Sequence, residues 1–304
     1  MKDTENPSVL DVSVVLPVHN ERGHLVQEID RLRSALEASA YSFEIIVVDD
    51  GSTDGSGEDL RQMDRIRLIQ FSRNRGVGSA RKAGTRAARG RVVVWTDVDM
   101  TYPNEEIPRL VKELEGHDQV VGARTSEEGT KKPLRVPAKW FIRKLAGYLV
   151  ETPIPDLNSG FRAFRRDVAL QFLYLLPAGF SCVSTMTMTF LANGYSVKHI
   201  PIDYRPRAGE SKFRWWTDTK RYLVQVLRMV LTFNPLRFFM PLSTALLAIG
   251  VAKLAYDWST KSFHLAANTL LIFFAALQLF SIGLLADLVV RLNRPRDQVD
   301  PAPL

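Results

Sequence analysis

Residues 265–286 run for 22 positions without a charged side chain, and this limits what the chain can fold into more than any other stretch. At about 1.5 Å per helical residue the run reaches roughly 33 Å, the thickness of a bilayer's hydrocarbon core. The spacing therefore predicts a membrane-spanning helix over 265–287. A shorter uncharged run over 238–252 precedes it and holds Pro241. Lys253 interrupts that run near its end, where a long aliphatic stem can carry the ammonium to the interface, and Trp258 suits the same depth. A first span over 236–256 follows, so that residues 236–290 form a two-helix hairpin.

Charge placement orients the hairpin. The connecting loop, 257–264, holds Lys261 alone among Lys and Arg, whereas Arg221, Arg228 and Arg237 precede the hairpin and Arg291, Arg294 and Arg296 follow it. Basic residues stay on the cytoplasmic side, so both termini, including a tail at 291–304, are expected there. Residues 205–237 carry eight Arg or Lys against two acids, interleaved with Trp215, Trp216, Tyr222 and Leu223. That pattern suits amphipathic helices in the membrane interface over 211–235. The net charge of +7 is thereby assigned to a membrane surface. Neither a helix-turn-helix pattern nor an aromatic RNA-binding signature is present, so nucleic acid is not an expected partner. Small residues such as Gly250 and Gly283 offer the hairpin a face for association into a homo-oligomer.

Upstream, strand-like and helix-like segments alternate. Residues 9–18 and 43–48 are β-branched and apolar, 66–71 form a third such run, and 92–95 a fourth. Between the first two, Leu25, Ile29, Leu32 and Leu36 recur at helical spacing. An Ala-rich segment ending at Ala88 follows the glycines at 76 and 78. Such alternation predicts an α/β domain with a parallel sheet flanked by helices and ligands at the carboxyl ends of the strands. The domain is expected over 11–210, behind a disordered N-terminus at 1–10 that lacks the apolar core of a signal peptide. One cysteine, Cys182, excludes an intramolecular disulfide and suits a reducing compartment. The five histidines show no zinc-ligand spacing.

Acidic clusters stand at two of the strand ends, Asp49-Asp50-Gly51-Ser52 and Asp97-Val98-Asp99. Side chains alternate along a strand, so Asp97 and Asp99 point the same way and repel unless a divalent cation lies between them and a second anion, such as a nucleotide diphosphate. An isolated Asp-x-Asp is more often the solvated end of a strand; the second acidic cluster and the basic segments favour the cation.

Seven motifs stand in order: Pro17-Val18-His19-Asn20-Glu21, Val47-Val48-Asp49-Asp50-Gly51-Ser52-x-Asp54, Asn74-x-Gly76-x-Gly78-x-Ala80, Asp97-x-Asp99, Gly122-Ala123-Arg124, Asn158-Ser159-Gly160-Phe161-Arg162 and Gly209-Glu210-Ser211-Lys212. Together they resemble the family 2 inverting glycosyltransferases, and more narrowly the polyprenyl-phosphate branch that is similar to dolichol-phosphate mannose synthase. Members of that branch anchored in membranes carry a C-terminal hairpin. The resemblance implies a GT-A type, Rossmann-like, mixed but mainly parallel sheet. The reaction it implies is transfer of one sugar, from GDP-mannose or a UDP-hexose, to polyprenyl or dolichyl phosphate with inversion.

On that resemblance Pro17, His19, Glu21, Val48, Asp50 and Asp97 hold the nucleotide sugar, while Asp99 holds Mg²⁺ or Mn²⁺. Members commonly place Gln two residues beyond the second Asp; this chain has Thr101, a weaker ligand. A lipid phosphate approaching an anionic donor needs fixed cations, and the resemblance singles out Arg124, Arg143, Ser159, Arg205, Arg207 and Lys212. Gly147 stands where members often have Ser. Asp156 either orients the reacting groups or caps its loop, and Arg162 either binds ligand or pairs with an acid. A phosphomonoester is already largely dianionic at neutral pH, so attack on the anomeric carbon needs no general base. Competing readings are a transferase acting on another membrane acceptor, a polysaccharide synthase, a nucleotidyltransferase and a membrane-tethered sugar-nucleotide sensor. A synthase should show Gln-x-x-Arg-Trp and more spans, yet Ser211 fills the Gln position before Arg214-Trp215. A nucleotidyltransferase should open with a Gly-rich loop where Pro17-Val18-His19 stands.

Overall fold

The computed structural model describes residues 10–125, 152–179, 181–205, 233–260 and 266–292, with residues 144, 147, 228 and 231. Arg143, Arg207 and Lys212, and most of the expected interfacial helices, lie outside the described residues. The chain divides into two compact units, one of residues 1–148 and 152–214, the other of residues 149–151 and 215–304.

In the first unit seven strands form one sheet in the order β3-β2-β1-β4-β6-β5-β7. They are β1 (Val12–Val18), β2 (Phe43–Asp49), β3 (Arg67–Gln70), β4 (Val92–Trp95), β5 (Gln119–Arg124), β6 (Arg162–Arg165) and β7 (Val197–Ile202). Each strand of the expected alternation is present, the first and third shorter than expected, the second one residue longer and the fourth unchanged. All run the same way except β6, which is antiparallel to both β4 and β5. Its start therefore lies at the edge where the other strands end. The chain departs in opposite directions from β1 and β4, which are neighbours, and this opens a crevice at their carboxyl ends. Pro17 is tolerated because the β4 ladder stops at Val15↔Trp95, leaving the proline paired only with Val48 of β2.

Helices cover both faces. Helices α1 (Leu25–Glu37) and α4 (Ile107–Lys112) bury Leu25, Ile29, Leu32, Ile107 and Leu110 against Val12, Val14 and Leu16. On the opposite face lie α3 (Val77–Ala87), α5 (Arg166–Phe172) and α6 (Cys182–Ala192), around Val15, Trp95, Phe164 and Phe190. A short α2 (Ser56–Arg61) follows the first acidic cluster. The start of α3 is sealed by the chain itself, since the Ala178 carbonyl accepts the N–H of Gly78 at 2.7 Å and of Ser79 at 3.3 Å. A methyl at Gly78 would lie 2.2 Å from the Pro177 carbonyl oxygen.

The second unit contains α7 (Leu236–Thr260) and α8 (Ala267–Leu292), both long and apolar enough to cross a membrane. Their outer faces expose Leu247, Ile249, Leu271, Phe274 and Leu285. Helix α7 runs past the expected stop at 256, because Asp257 is satisfied within the hairpin. Lys253 Nζ lies 3.1 Å from its Oδ2, and the Thr269 hydroxyl donates to the same oxygen at 2.5 Å. An Asp287–Arg291 pair at 2.7 Å likewise carries α8 past 287. The glycines face inward: a methyl on Gly250 would meet Ile272 and Phe273, and one on Gly283 would lie 2.8 Å from Phe239 Cβ. Gly250 and Gly283 thus join the two helices of one hairpin, which removes the sequence argument for a homo-oligomer.

Replacing Gly78 by Ala should lower stability by about 1–3 kcal/mol, the usual effect of overpacking, because the obstacle is backbone. Thermal unfolding of the detergent-solubilised protein measures it.

Candidate active site

Both acidic clusters, the loop before β6 and the exit of β7 meet at one sheet edge. After β2, Asp49 turns inward, its Oδ1 accepting the Ser52 N–H at 2.9 Å and its Oδ2 the Gln70 amide at 3.1 Å. Asp50, nearly inaccessible, accepts the backbone N–H groups of Arg75 at 2.6 Å and Gly76 at 2.8 Å. It ties the glycine-rich segment before α3 to the crevice wall. Asp54 accepts from Ser56 and from the Arg22 N–H at 3.1 Å, and Asn20, in the left-handed region at φ 58°, accepts the Thr53 N–H at 2.8 Å. These bonds join the Pro17-to-Glu21 segment to the turn after β2. Within it His19 is exposed, Glu21 and Pro17 are half-buried, and Val48 is buried below.

Asp97 is held from beneath. The Arg81 guanidinium of α3 donates to its Oδ1 at 2.6 Å, lies 5.5 Å from the Trp95 ring centroid and reaches the Cys182 Sγ at 3.7 Å. Burial opposes the charge on Arg81, but Asp97 and then Cys182 more than offset this, so its pKa is raised. Over the pair lies Gly160. A methyl there would stand 2.7 Å from Arg81 Nη2 and 2.9 Å from Asp97 Oδ2, so a larger residue would displace the pair. The Gly160 N–H donates to the Tyr102 hydroxyl at 2.8 Å, and the Tyr102 ring stacks on Phe161 with centroids 5.7 Å apart. Burial, then Asp97, raises the Tyr102 pKa and keeps the phenol protonated. Asn104 donates to the Asp97 carbonyl at 3.1 Å and to the buried Glu28 at 2.6 Å.

Asp99 stands one step outward. Met100 takes φ 63°, an unusual value for a side chain of this kind, and the tight turn returns Thr101 to Asp99. The Thr101 hydroxyl donates to Asp99 Oδ1 at 2.5 Å and its N–H to the same oxygen at 3.3 Å. Thr101 therefore acts here as a support for the carboxylate. Among the described residues no three His, Cys, Asp or Glu side chains gather to hold a metal. A cation at Asp99 would draw further ligands from a diphosphate and water, which suits an oxygen-seeking ion such as Mg²⁺ or Mn²⁺.

The basic side of the site is stitched to the acidic side. The Thr101 carbonyl accepts the Arg205 N–H at 2.9 Å, and the Arg205 guanidinium pairs with Glu105 at 2.8 Å. Arg124 grips Asp156 with two bonds, Nε at 2.7 Å and Nη2 at 2.9 Å, and lies 5.3 Å from the Tyr204 ring centroid. Asp156 also accepts the Asn158 N–H at 3.0 Å. Burial would raise its pKa, but the Arg124 and Asn158 bonds prevail and lower it. Ser159 is wholly buried, its hydroxyl accepting the Phe161 N–H. Among the described residues Arg162, also fully buried, bonds to neutral acceptors (the carbonyls of Ser159 and Val183 and the Thr187 hydroxyl) and to no acidic partner of the kind expected as one alternative. Arg81 and Tyr102 were not singled out from the sequence, and Gly160 stood there only as one member of the Asn158-to-Arg162 motif. The one available signal was an arginine on the small-residue stripe of α3, beside Ala80 and Gly84.

The family model described as Glycosyl transferase family 2 matches residues 13–172, more than half of the chain. The chain belongs to glycosyl transferase family 2. The model described as GtrB C-terminal hairpin matches residues 234–292 of this glycosyltransferase. The undecaprenyl-phosphate 4-deoxy-4-formamido-L-arabinose transferase of Aeromonas hydrophila subsp. hydrophila is 29% identical, the match covering 94% of this chain and 90% of the relative. The enzyme of that name from Enterobacter sp. (strain 638) is 30% identical, over 95% and 91%. Glucosyl-3-phosphoglycerate synthase from Mycobacterium tuberculosis, solved with Mn²⁺, UDP-glucose and phosphoglyceric acid, superposes with a TM-score of 0.58 at 20% identity, over 72% of this chain and 80% of that one. The family 2 domain thus has the expected GT-A type fold.

Two outcomes follow from the geometry. Gly160→Ala should lower the rate of sugar transfer by about a hundredfold or more, as ångström-scale misplacement does, with circular dichroism unchanged. His199, on β7, is held neutral, its pKa pushed from 6.5 to about 4 by burial and then by Arg162. The unfolded chain therefore takes up a proton that the fold refuses, so this stability is complete above pH 6.5 and is lost as the pH falls through 4. In urea unfolding at pH 7 and 4.5, His199→Gln should reduce the acid-induced loss by on the order of 1–3 kcal/mol.

Proposed function

We propose that this glycosyltransferase moves one sugar from a nucleotide sugar to a polyprenyl phosphate, with inversion, at the cytoplasmic face of a membrane that its hairpin spans twice. One observation carries the reading: the 2.9 Å bond from the Arg205 N–H to the Thr101 carbonyl, which sets Arg205 beside the turn bearing Asp99. A donor diphosphate and an acceptor phosphate can thereby meet over one short stretch of chain. The relatives' names, which specify undecaprenyl phosphate and a sugar, support this acceptor class. The hairpin and the flanking arginines support the membrane and its orientation.

In this reading Pro17, His19, Glu21 and Val48 line the nucleotide pocket, and Asp50 fixes its wall through Arg75 and Gly76. Asp97, anchored by Arg81, accepts from hydroxyls of the donor. Asp99, braced by Thr101, holds the metal. Bound Mg²⁺ or Mn²⁺ would offset charge on the departing nucleoside diphosphate. The acceptor phosphate, largely dianionic at neutral pH, supplies the attacking oxygen. Its bond to the anomeric carbon forms as the bond to the diphosphate breaks on the opposite face. Arg124 and Arg205, with Arg143, Arg207 and Lys212, neutralise the incoming phosphate. Asp156, whose lowered pKa makes it a poor base, positions Arg124.

A panel of labelled UDP- and GDP-sugars offered with polyprenyl phosphate and Mn²⁺ should yield an acid-labile labelled lipid with at least one donor. Asp99→Asn should reduce that label by about a hundredfold or more. No labelled lipid with any donor, or undiminished transfer by the variant, would sink the reading.

A further inference from the structure

The chain leaving β7 is laid against the turn that bears Asp99 by three contacts, of which the proposed chemistry uses one. The Arg205 N–H bonds the Thr101 carbonyl at 2.9 Å, and the Tyr204 ring meets the Tyr102 ring edge to face with centroids 5.4 Å apart. The Arg205 guanidinium donates through Nη2 to Glu105 Oε1 at 2.8 Å. The first two contacts fix the backbone, and so where the arginine starts. The third fixes where its charge ends, on a side chain that is 48% exposed and would otherwise sweep through water.

Glu105 is itself held. Its second oxygen, Oε2, accepts from Arg31 of α1, and Arg31 also donates to Glu28 at 3.4 Å. Glu28 is fully buried and takes the Asn104 amide on its other oxygen at 2.6 Å. The same amide donates to the Asp97 carbonyl at 3.1 Å, so a row of polar contacts that begins at Asp97 ends on Arg205. Burial would raise the Glu105 pKa, but its own N–H, then Arg31 and Arg205, prevail and lower it, which keeps the carboxylate charged at neutral pH. An exposed ion pair adds little to stability, so the main effect of the Glu105–Arg205 bond is on the place of the guanidinium.

We propose that Glu105 is a positioning residue for the acceptor: it holds the Arg205 guanidinium at the Asp99 turn, so that an incoming phosphate meets a cation already in place. The assignment rests on the reaction proposed above, in which Arg205 neutralises that phosphate. A guanidinium has five N–H donors and the bond to Glu105 takes one, so Arg205 can keep the carboxylate and grip the phosphate together. Fixing a long side chain beforehand removes the rotamer freedom otherwise lost on binding. Arg31, on the opposite oxygen, offsets the carboxylate's charge, so Glu105 guides Arg205 without repelling the ligand as a free acid would.

Binding of farnesyl phosphate to the full chain in detergent, measured by calorimetry at neutral pH, is the test, with farnesol and UDP or GDP with Mn²⁺ as controls. Glu105→Ala should bind farnesyl phosphate about fivefold more weakly than the wild type, and Arg205→Ala at least as weakly. The double variant should bind no more weakly than Arg205→Ala alone, because a carboxylate with no arginine to place has nothing left to contribute. Farnesol and the nucleotides should bind all these proteins within about twofold. A general loosening of the site would instead weaken the nucleotides too and add to the effect of Arg205→Ala. Undiminished or tighter binding of farnesyl phosphate by Glu105→Ala overturns the proposal. So does a double variant about fivefold weaker than Arg205→Ala, a loss shared with farnesol or the nucleotides, or an Arg205→Ala protein that binds like the wild type. If wild-type protein yields no labelled lipid with any donor, the proposed reaction fails; if it does while Glu105→Ala binds farnesyl phosphate normally, only the role of Glu105 fails.

Discussion

The pairing of Arg81 with Asp97 is the contact on which the site is built. A carboxylate at the end of β4 would by itself swing in water, and a guanidinium inside a helix-sheet interface would by itself be untenable. Joined at 2.6 Å, each makes the other's position permissible. The pair is enclosed by its neighbours: Trp95 and Cys182 flank the guanidinium, and the glycine at 160 lets the loop before β6 cover it without displacing either side chain. Helix α3, the acidic turn, α6 and the 156–160 loop are thus held together by one ion pair.

The sheet explains why a loop that begins a strand belongs with loops that end them. Because β6 runs against its neighbours, residues 156–160 emerge at the carboxyl edge of β1, β2 and β4. An all-parallel sheet would have sent that segment to the opposite edge. The single reversed strand is what brings Asp156 and Gly160 to Asp97.

Much of this was legible in the sequence. Apolar runs at 9–18, 43–48 and 92–95 and helical spacing from Leu25 to Leu36 indicated strands and helices close to the observed limits, because these elements are buried on faces their periodicity declares. The acidic turns were recognisable because carboxylates at strand ends are conspicuous. Partners were not recognisable. Nothing local to Arg81, Tyr102 or Arg162 says that residues 16, 58 or 3 positions away will meet them. Arg124 and Asp156 read as two independent candidates, and only the fold shows them as one bidentate pair. Thr101 looked like a weak substitute ligand, whereas its hydroxyl braces Asp99. The hairpin glycines show the same limit: small residues mark close helix approach, but the sequence does not say which helix approaches.

The polar clasp near the hairpin's turn bears on how its two helices depend on each other. Asp257 is fully buried, its carboxylate shared between Lys253 one turn earlier and Thr269 on the other helix. Presented alone to lipid, α7 would carry an acid lacking the hydroxyl that α8 supplies. The second helix of the hairpin thus completes the polar surroundings of an acid carried by the first.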